Sequence, residues 1–104
     1  MSAAQAAVFS ALGDPTRLEI LSLVGEGSRN TATTISGSVG VSRPAVIKHL
    51  SVLEGVGLVT RSKEGRNVHF SVSADDLNAS ADWLKDRSRQ WADRLVRLKE
   101  LAET

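Results

Sequence analysis

Arg43, Lys48, Arg61, Lys63 and Arg66 fall close together in the middle of this 104-residue chain, with Glu54 and Glu64 as the acids among them. Cations in that density do the chemistry of polyanion contact. An arginine can fork onto a phosphate or a guanine edge, and a lysine works as a point charge. Thr31, Thr33 and Ser42 stand where helix starts are expected, so hydroxyls and free backbone N–H groups can meet a phosphate there. Covalent and metal chemistry find no support. There is no cysteine and no tyrosine, the two histidines are His49 and His69, and no G-x-S-x-G is present. A nucleophile needs a base held by an orienting group, and nothing here converges on one. No enzyme, metal site or cofactor is expected.

The net charge of +1 hides a division. Residues 1–27 sum to −2, residues 28–73 (with Arg29) to +4, and residues 74–104 to −1. A basic segment on an otherwise neutral domain is the footprint of a polyanion partner, although a solvated charged face gives the same count. The length suits one domain, residues 1–104, and 41% hydrophobic residues suit a soluble globular one. No apolar run is long enough to cross a membrane. MSAAQAAVFSAL lacks the charged leader of a secretory signal, so a cytoplasmic protein is expected.

The elements that position these residues are legible from caps and periodicity. Ala3 to Leu12 reads as a first helix, with Val8 and Leu12 on one side, ended by Gly13. Asp14-Pro15 starts a second, whose stripe is Leu18, Leu21 and Val24 with Ile20 beside them. Asn30 or Thr31 caps a short third helix holding Thr34, Ile35 and Val39. Gly40 allows a tight turn, and Ser42 caps a fourth. Val46, Leu50 and Leu53 give the fourth helix a core face, opposite Arg43, Ile47, Lys48 and Ser51. Leu58, Val59 and Thr60 begin a strand, Lys63 to Arg66 make the turn, and Val68, Phe70 and Val72 alternate along a second strand. Ser73 and Asp76 have the spacing of a capping box before a last helix running to about Ala102. Its stripe is Leu77, Ala81, Leu84, Ser88, Trp91, Leu95, Leu98 and Ala102, a heptad-like seam longer than a chain this short can cover with its own core. A homodimer along that seam is expected, the other reading being packing across the domain's own back.

A helix followed by a β-hairpin is how a winged helix meets duplex DNA, the helix in a major groove and the hairpin tip on the neighbouring backbone. On that reading Arg43 forks onto guanine or phosphate, and Lys48 meets the backbone. Ile47 either touches a thymine methyl or is a surface or minor core residue. Lys63 and Arg66 embrace flanking DNA, supported by Arg61. His49 is either a donor to DNA or a structural residue, and His69 belongs to the exposed side of the second strand. Asp82 and Asp86, with Lys85 and Arg89 nearby, read as a salt-bridged helix face.

ALGDPTRLEILSLV (residues 11–24), VSRPAVIKHLSVLEGVGLVT (41–60) and EGRNVHF (64–70) resemble the winged-helix repressors of the ArsR type. The resemblance spans about residues 5–75. It implies a mainly α fold with a small β-hairpin, order α-α-α-α-β-β-α, in a homodimeric bacterial regulator of transcription. It implies dimerisation through the first and last helices, 1–12 and 74–103, with Phe9, Leu77, Leu84, Trp91, Leu95 and Leu98 at the interface. Residues 31–72 become the helix-turn-helix and wing, and Ser42, Arg43, Ala45, Ile47, Lys48, His49 and Arg66 the DNA-contacting set. Metal-sensing members place cysteines in the third helix or a His/Asp/Glu set on the last. Here the third helix has no cysteine and the last has Asp82 and Asp86 but no histidine, so metal-responsive release is not carried over and no effector ligand is read. The expected partners are double-stranded DNA and a second copy of the chain, acting as a repressor, in an autoregulatory arrangement or another, on an inverted repeat. A winged helix that only binds protein is the competing reading, and it has no use for a basic helix start and hairpin tip.

Overall fold

Four of the five helices begin where a short polar side chain takes up an otherwise free N–H. In the computed structural model, which describes residues 2–27 and 30–103, α1 spans Ala3–Leu12, α2 Pro15–Glu26, α3 Ala32–Val39 and α4 Arg43–Gly55. Ser2 accepts from the Gln5 N–H at 3.1 Å, Asp14 from Arg17 at 3.0 Å, Thr31 from Thr34 at 3.2 Å and Ser42 from Ala45 at 3.3 Å. Thr31, rather than Asn30, is thus the cap of α3. Asn30 instead donates from its amide to the Val24 and Gly27 carbonyls, and its own carbonyl accepts from the Phe70 N–H. Arg29, counted in the central charge, lies outside the described residues.

Two antiparallel strands follow, β1 (Val59–Glu64) and β2 (Asn67–Val72), with Val59 opposite Val72 and Glu64 opposite Asn67. The expected four-residue turn is therefore only Gly65-Arg66, and Lys63 and Glu64 belong to β1. Gly65, at a φ of 61°, takes the left-handed first position of a two-residue hairpin turn, which lets strand pairing run to the tip. Leu58, expected to open the strand, sits one residue before it and is fully buried.

The core gathers Val8 of α1, Ile20, Leu21 and Val24 of α2, Ala32 and Ile35 of α3, Val46, Leu50 and Leu53 of α4, and Leu58, Val59 and Phe70. Leu18 does not join it and is 46% exposed. The buried face of α2 centres on Ile20, Leu21 and Val24, and Leu18 falls about a third of a turn away.

The last helix, α5 (Asp75–Glu103), has 29 residues and is about 43 Å long at the usual rise. It stretches the molecule to 68 × 25 × 22 Å. The Ser73–Asp76 capping box does not form. The helix starts at Asp75, and Ser73 donates its N–H to the Leu58 carbonyl at 2.9 Å. Only the first turns of α5 are covered, where Leu77 packs against the core, Ser80 is buried and α1 lies alongside. No helix among the described residues is long and apolar enough to cross a membrane.

Gly57 occupies the junction of α4 with β1 at a φ of 80°, and a Cβ there would run into the Asp76 carboxylate. Gly57→Ala is expected to lower stability by about 1–2 kcal/mol, chiefly from the left-handed backbone, in urea unfolding. Gly37, inside α3 with open space around it, should respond oppositely. Gly37→Ala is expected to raise stability by about 0.5–1 kcal/mol.

Candidate nucleic-acid interface

The chemistry of α4 follows from which side of it is locked away. Val46, Leu50 and Leu53 are each fully buried, so Arg43, Ile47, Lys48 and Ser51 turn to solvent. Ile47 is 41% exposed, which removes the reading of it as a core contact and leaves an apolar knob between two cations. Ala45 and His49 are half-buried at the edge of this ridge. The turn into α4 is held by Gly40, which donates its N–H to the Ser36 carbonyl at 3.1 Å and, at a left-handed φ of 76°, turns the chain out of α3. The Ser36 hydroxyl also donates to the Val41 carbonyl.

A cleft of about 430 Å³ lies on one flank of the ridge, lined by Thr31, the cap of α3, by Thr33 of α3, Arg43 and Ile47 of α4, and Arg66 and Phe70 of the hairpin. It brings together residues from Thr31 to Phe70, far apart in sequence, so the cations of the helix start and of the hairpin tip face one space. Thr33 and Arg66 are exposed. The Thr31 hydroxyl is occupied by the reciprocal cap, since the Thr31 N–H donates to Thr34 Oγ1 at 2.9 Å while Thr31 Oγ1 accepts from the Thr34 N–H. Lys63 stands exposed on β1 opposite Val68.

Arg61 also borders this cleft, yet its guanidinium is committed elsewhere. It forks onto Glu54 of α4, Nε to Oε2 at 2.6 Å and Nη2 to Oε1 at 2.9 Å, and lies 5.5 Å from the centre of the Phe70 ring. The Glu54 hydrogen bonds push the Arg61 pKa further up, so it stays a cation. Arg61 and Glu54 therefore tie β1 to the last turn of α4. Sequence spacing did not single out Glu54, because the pair bridges a helix and a strand, where no periodicity applies.

Arg17, from the DPTR segment of α2, was also missed. It lines a second cleft of about 290 Å³ on the other flank of the ridge, with Ala45, Lys48, His49 and Val52. Its Nη1 donates to the Ala11 carbonyl at 3.1 Å, and its Nε is buried without a partner. Asp14 accepts from the Arg17 backbone N–H, which holds its carboxyl below the usual carboxylate range, with the nearby His49 and Arg17 side chains adding to the effect. His69, expected on an exposed face, has a side chain only 21% exposed. Its Nε2 lies 4.0 Å from Glu64 and its Nδ1 is buried without a partner.

The seam residues divide into two groups. Phe9 packs its ring 5.8 Å from that of Trp83, and Leu77 is occupied by the core of its own chain. Leu84, Trp91, Leu95 and Leu98 are each at least half exposed. Arg94 lies over the Trp91 ring, and Arg89 pairs with Asp86 at 4.0 Å. Among the described residues no three His, Cys, Asp or Glu side chains are grouped to hold a metal ion.

Residues 14–61 match the family described as "Bacterial regulatory protein, arsR family". The chain is 31% identical over 77 residues to the transcriptional repressor SdpR of Bacillus subtilis (strain 168), covering 74% of this chain and 84% of that one. Among solved structures it is similar to an ArsR-like transcriptional regulator from Rhodococcus sp. RHA1, with 37% identity, a TM-score of 0.83 and coverage of 96% and 93% of the two chains. It is also similar to a homodimeric winged helix-turn-helix DNA-binding domain from Mycobacterium bovis, with 25% identity, a TM-score of 0.65 and coverage of 80% and 77%.

The Glu54–Arg61 fork is half exposed at the surface, so its loss costs little overall stability, under about 1 kcal/mol. Glu54→Gln should instead loosen the hairpin locally. Hydrogen exchange of the β1 and β2 amides is expected to speed up while that of α2 and α3 stays unchanged.

Proposed function

This chain belongs to the ArsR family of bacterial transcriptional regulators, and on that footing we propose that it is a homodimeric repressor that reads an inverted-repeat operator through α4 and the β1–β2 wing. The observation that carries the proposal is the shared cleft in which Arg43 and Ile47 of an otherwise core-locked helix face Arg66 of the hairpin tip. A helix of that width fits a major groove, and a tip one strand-length away reaches the flanking backbone. Arg43 is the base-reading or groove-edge fork and Ile47 the thymine-methyl contact. Lys48, Lys63 and Arg66 neutralise phosphates. Thr33 and the cap of α3 at Thr31 offer N–H and hydroxyl groups to a further phosphate, with Ser42, Ala45 and His49 beside the groove. Arg61 serves from behind as the tether of the wing.

A second copy completes the molecule. The exposed stripe of Leu84, Trp91, Leu95 and Leu98 is more apolar surface than a monomer keeps in water, and its length suits a symmetric helix pairing. Residues 1–12 and 74–103 then form the dimer and residues 31–72 the reading head, with half-sites about 34–36 Å apart or a multiple of that. A protein-binding winged helix would leave the basic cleft without a partner.

Selection of bound duplexes from a random pool, then titration at several salt concentrations, tests the reading. Arg43→Ala is expected to cost about 1–3 kcal/mol and relax the preference at one base pair per half-site. Arg66→Ala should weaken binding evenly across sequences and flatten the salt dependence. No enrichment from the pool, or no effect of either change, would sink the proposal. The dimer has its own measurement. Leu95→Glu should yield monomers in sedimentation, and a particle of unchanged mass would show that the seam is not an interface.

A further inference from the structure

The ridge of α4 has two flanks, and the wing serves only one of them. On the other, Arg17 from α2 meets Lys48 and His49 from α4 around a cleft of about 290 Å³, floored by Ala45 and Val52. Arg17 is rooted there by two bonds, its backbone N–H to Asp14 and its Nη1 to Ala11. A guanidinium carries five N–H donors and one of them goes to Ala11, so Arg17, which lines the cleft, keeps donors for a ligand there. The nearby acid is Asp14, whose carboxylate is already engaged by the α2 N-terminus.

We propose that this cleft is a second backbone-phosphate site, anchored by Arg17 with Lys48 and His49. The inference rests on the DNA-binding reading above and extends it to the opposite wall of the groove. A helix about 10–12 Å across nearly fills a major groove about 12 Å wide, so its two flanks face the two strands. The wing-side cleft takes phosphates of one strand through Arg66. The Arg17 cleft takes those of the other, holding α4 in register from both sides. Phosphate contacts of this kind position a protein without reading sequence.

The test uses the full-length dimer and its selected duplex, with backbone phosphates neutralised one at a time as methylphosphonates. Wild type should show two separate groups of sensitive phosphates per half-site, one on each strand. Arg66→Ala should erase the wing-side group. Arg17→Gln should erase the far one and lower the log–log salt slope by about one per protomer, while Arg17→Lys keeps both. Circular dichroism and sedimentation of Arg17→Gln should match wild type. An unchanged slope and phosphate map in Arg17→Gln, with Arg66→Ala still defective, would overturn the second site and leave the DNA reading standing. If Arg17→Gln does not fold, the wild-type map decides together with Lys48→Gln, which alters an exposed side chain. A single sensitive group, or a far group untouched by Lys48→Gln, overturns the site. Failure to bind any duplex overturns both readings.

Discussion

The complete burial of one face of α4 is the constraint on which the rest of this molecule depends. Val46, Leu50 and Leu53 are wholly removed from solvent, and each contributes about 1.5–3 kcal/mol toward fixing how the helix is rolled. A roll large enough to bury Ile47 instead would expose one of the three. The outward direction of Arg43, Ile47 and Lys48 is therefore a consequence of packing by residues that touch no ligand. The same core fixes the wing. Leu58 and Val59 anchor the start of β1, Phe70 anchors β2, and the Glu54–Arg61 fork ties the strand back to the helix.

The charge of the central segment and the charge of the interface are different quantities. Arg61 is counted in the first but neutralised by Glu54, and Glu64 lies near His69. Arg43, Lys48, Lys63 and Arg66 remain exposed around α4 and the wing, and Arg17 joins them from a segment whose own balance is negative. Folding thus redistributes a modest excess into two basic clefts either side of one apolar knob. A dimer doubles that field while the alternating charges of α5 add almost nothing to it. Steering toward DNA then arises from placement more than from a net charge of +1.

The element order was legible because caps and periodicity are local. Asp14, Thr31 and Ser42 each bond to the backbone three residues on, and the 46/50/53 spacing needs no partner to be read. What escaped were contacts set by tertiary packing. Ser73 and Asp76 have the spacing of a capping box, but the Ser73 N–H is drawn to Leu58 and the Asp76 carboxylate lies against Gly57. Leu18 has the right spacing to Leu21, yet α2 meets its neighbours through Ile20, Leu21 and Val24. The basic tip shrank to Gly65-Arg66 because the preference of a left-handed glycine for a two-residue turn outweighs the polarity of Lys63 and Glu64. Arg17 and Glu54 were invisible for a shared reason, since each acts between two different elements, where no helix or strand period applies.

The short path between α4 and α5 gives the architecture its mechanical character. Val56 and Gly57 close α4 with N–H bonds to the Val52 and Glu54 carbonyls, and Leu58 accepts from Ser73, just before α5 begins. Two elements to which the proposed function gives unrelated work, DNA contact for α4 and pairing with a second copy for α5, are thereby joined through a few buried or bonded backbone groups. In the homodimer proposed here the separation of the two reading helices is set by this joint and by the crossing of the α5 helices. DNA fixes the half-site spacing to a helical repeat, so a small change in that crossing acts on both half-sites together. Affinity for an inverted repeat then depends on seam packing as well as on the residues that touch the groove.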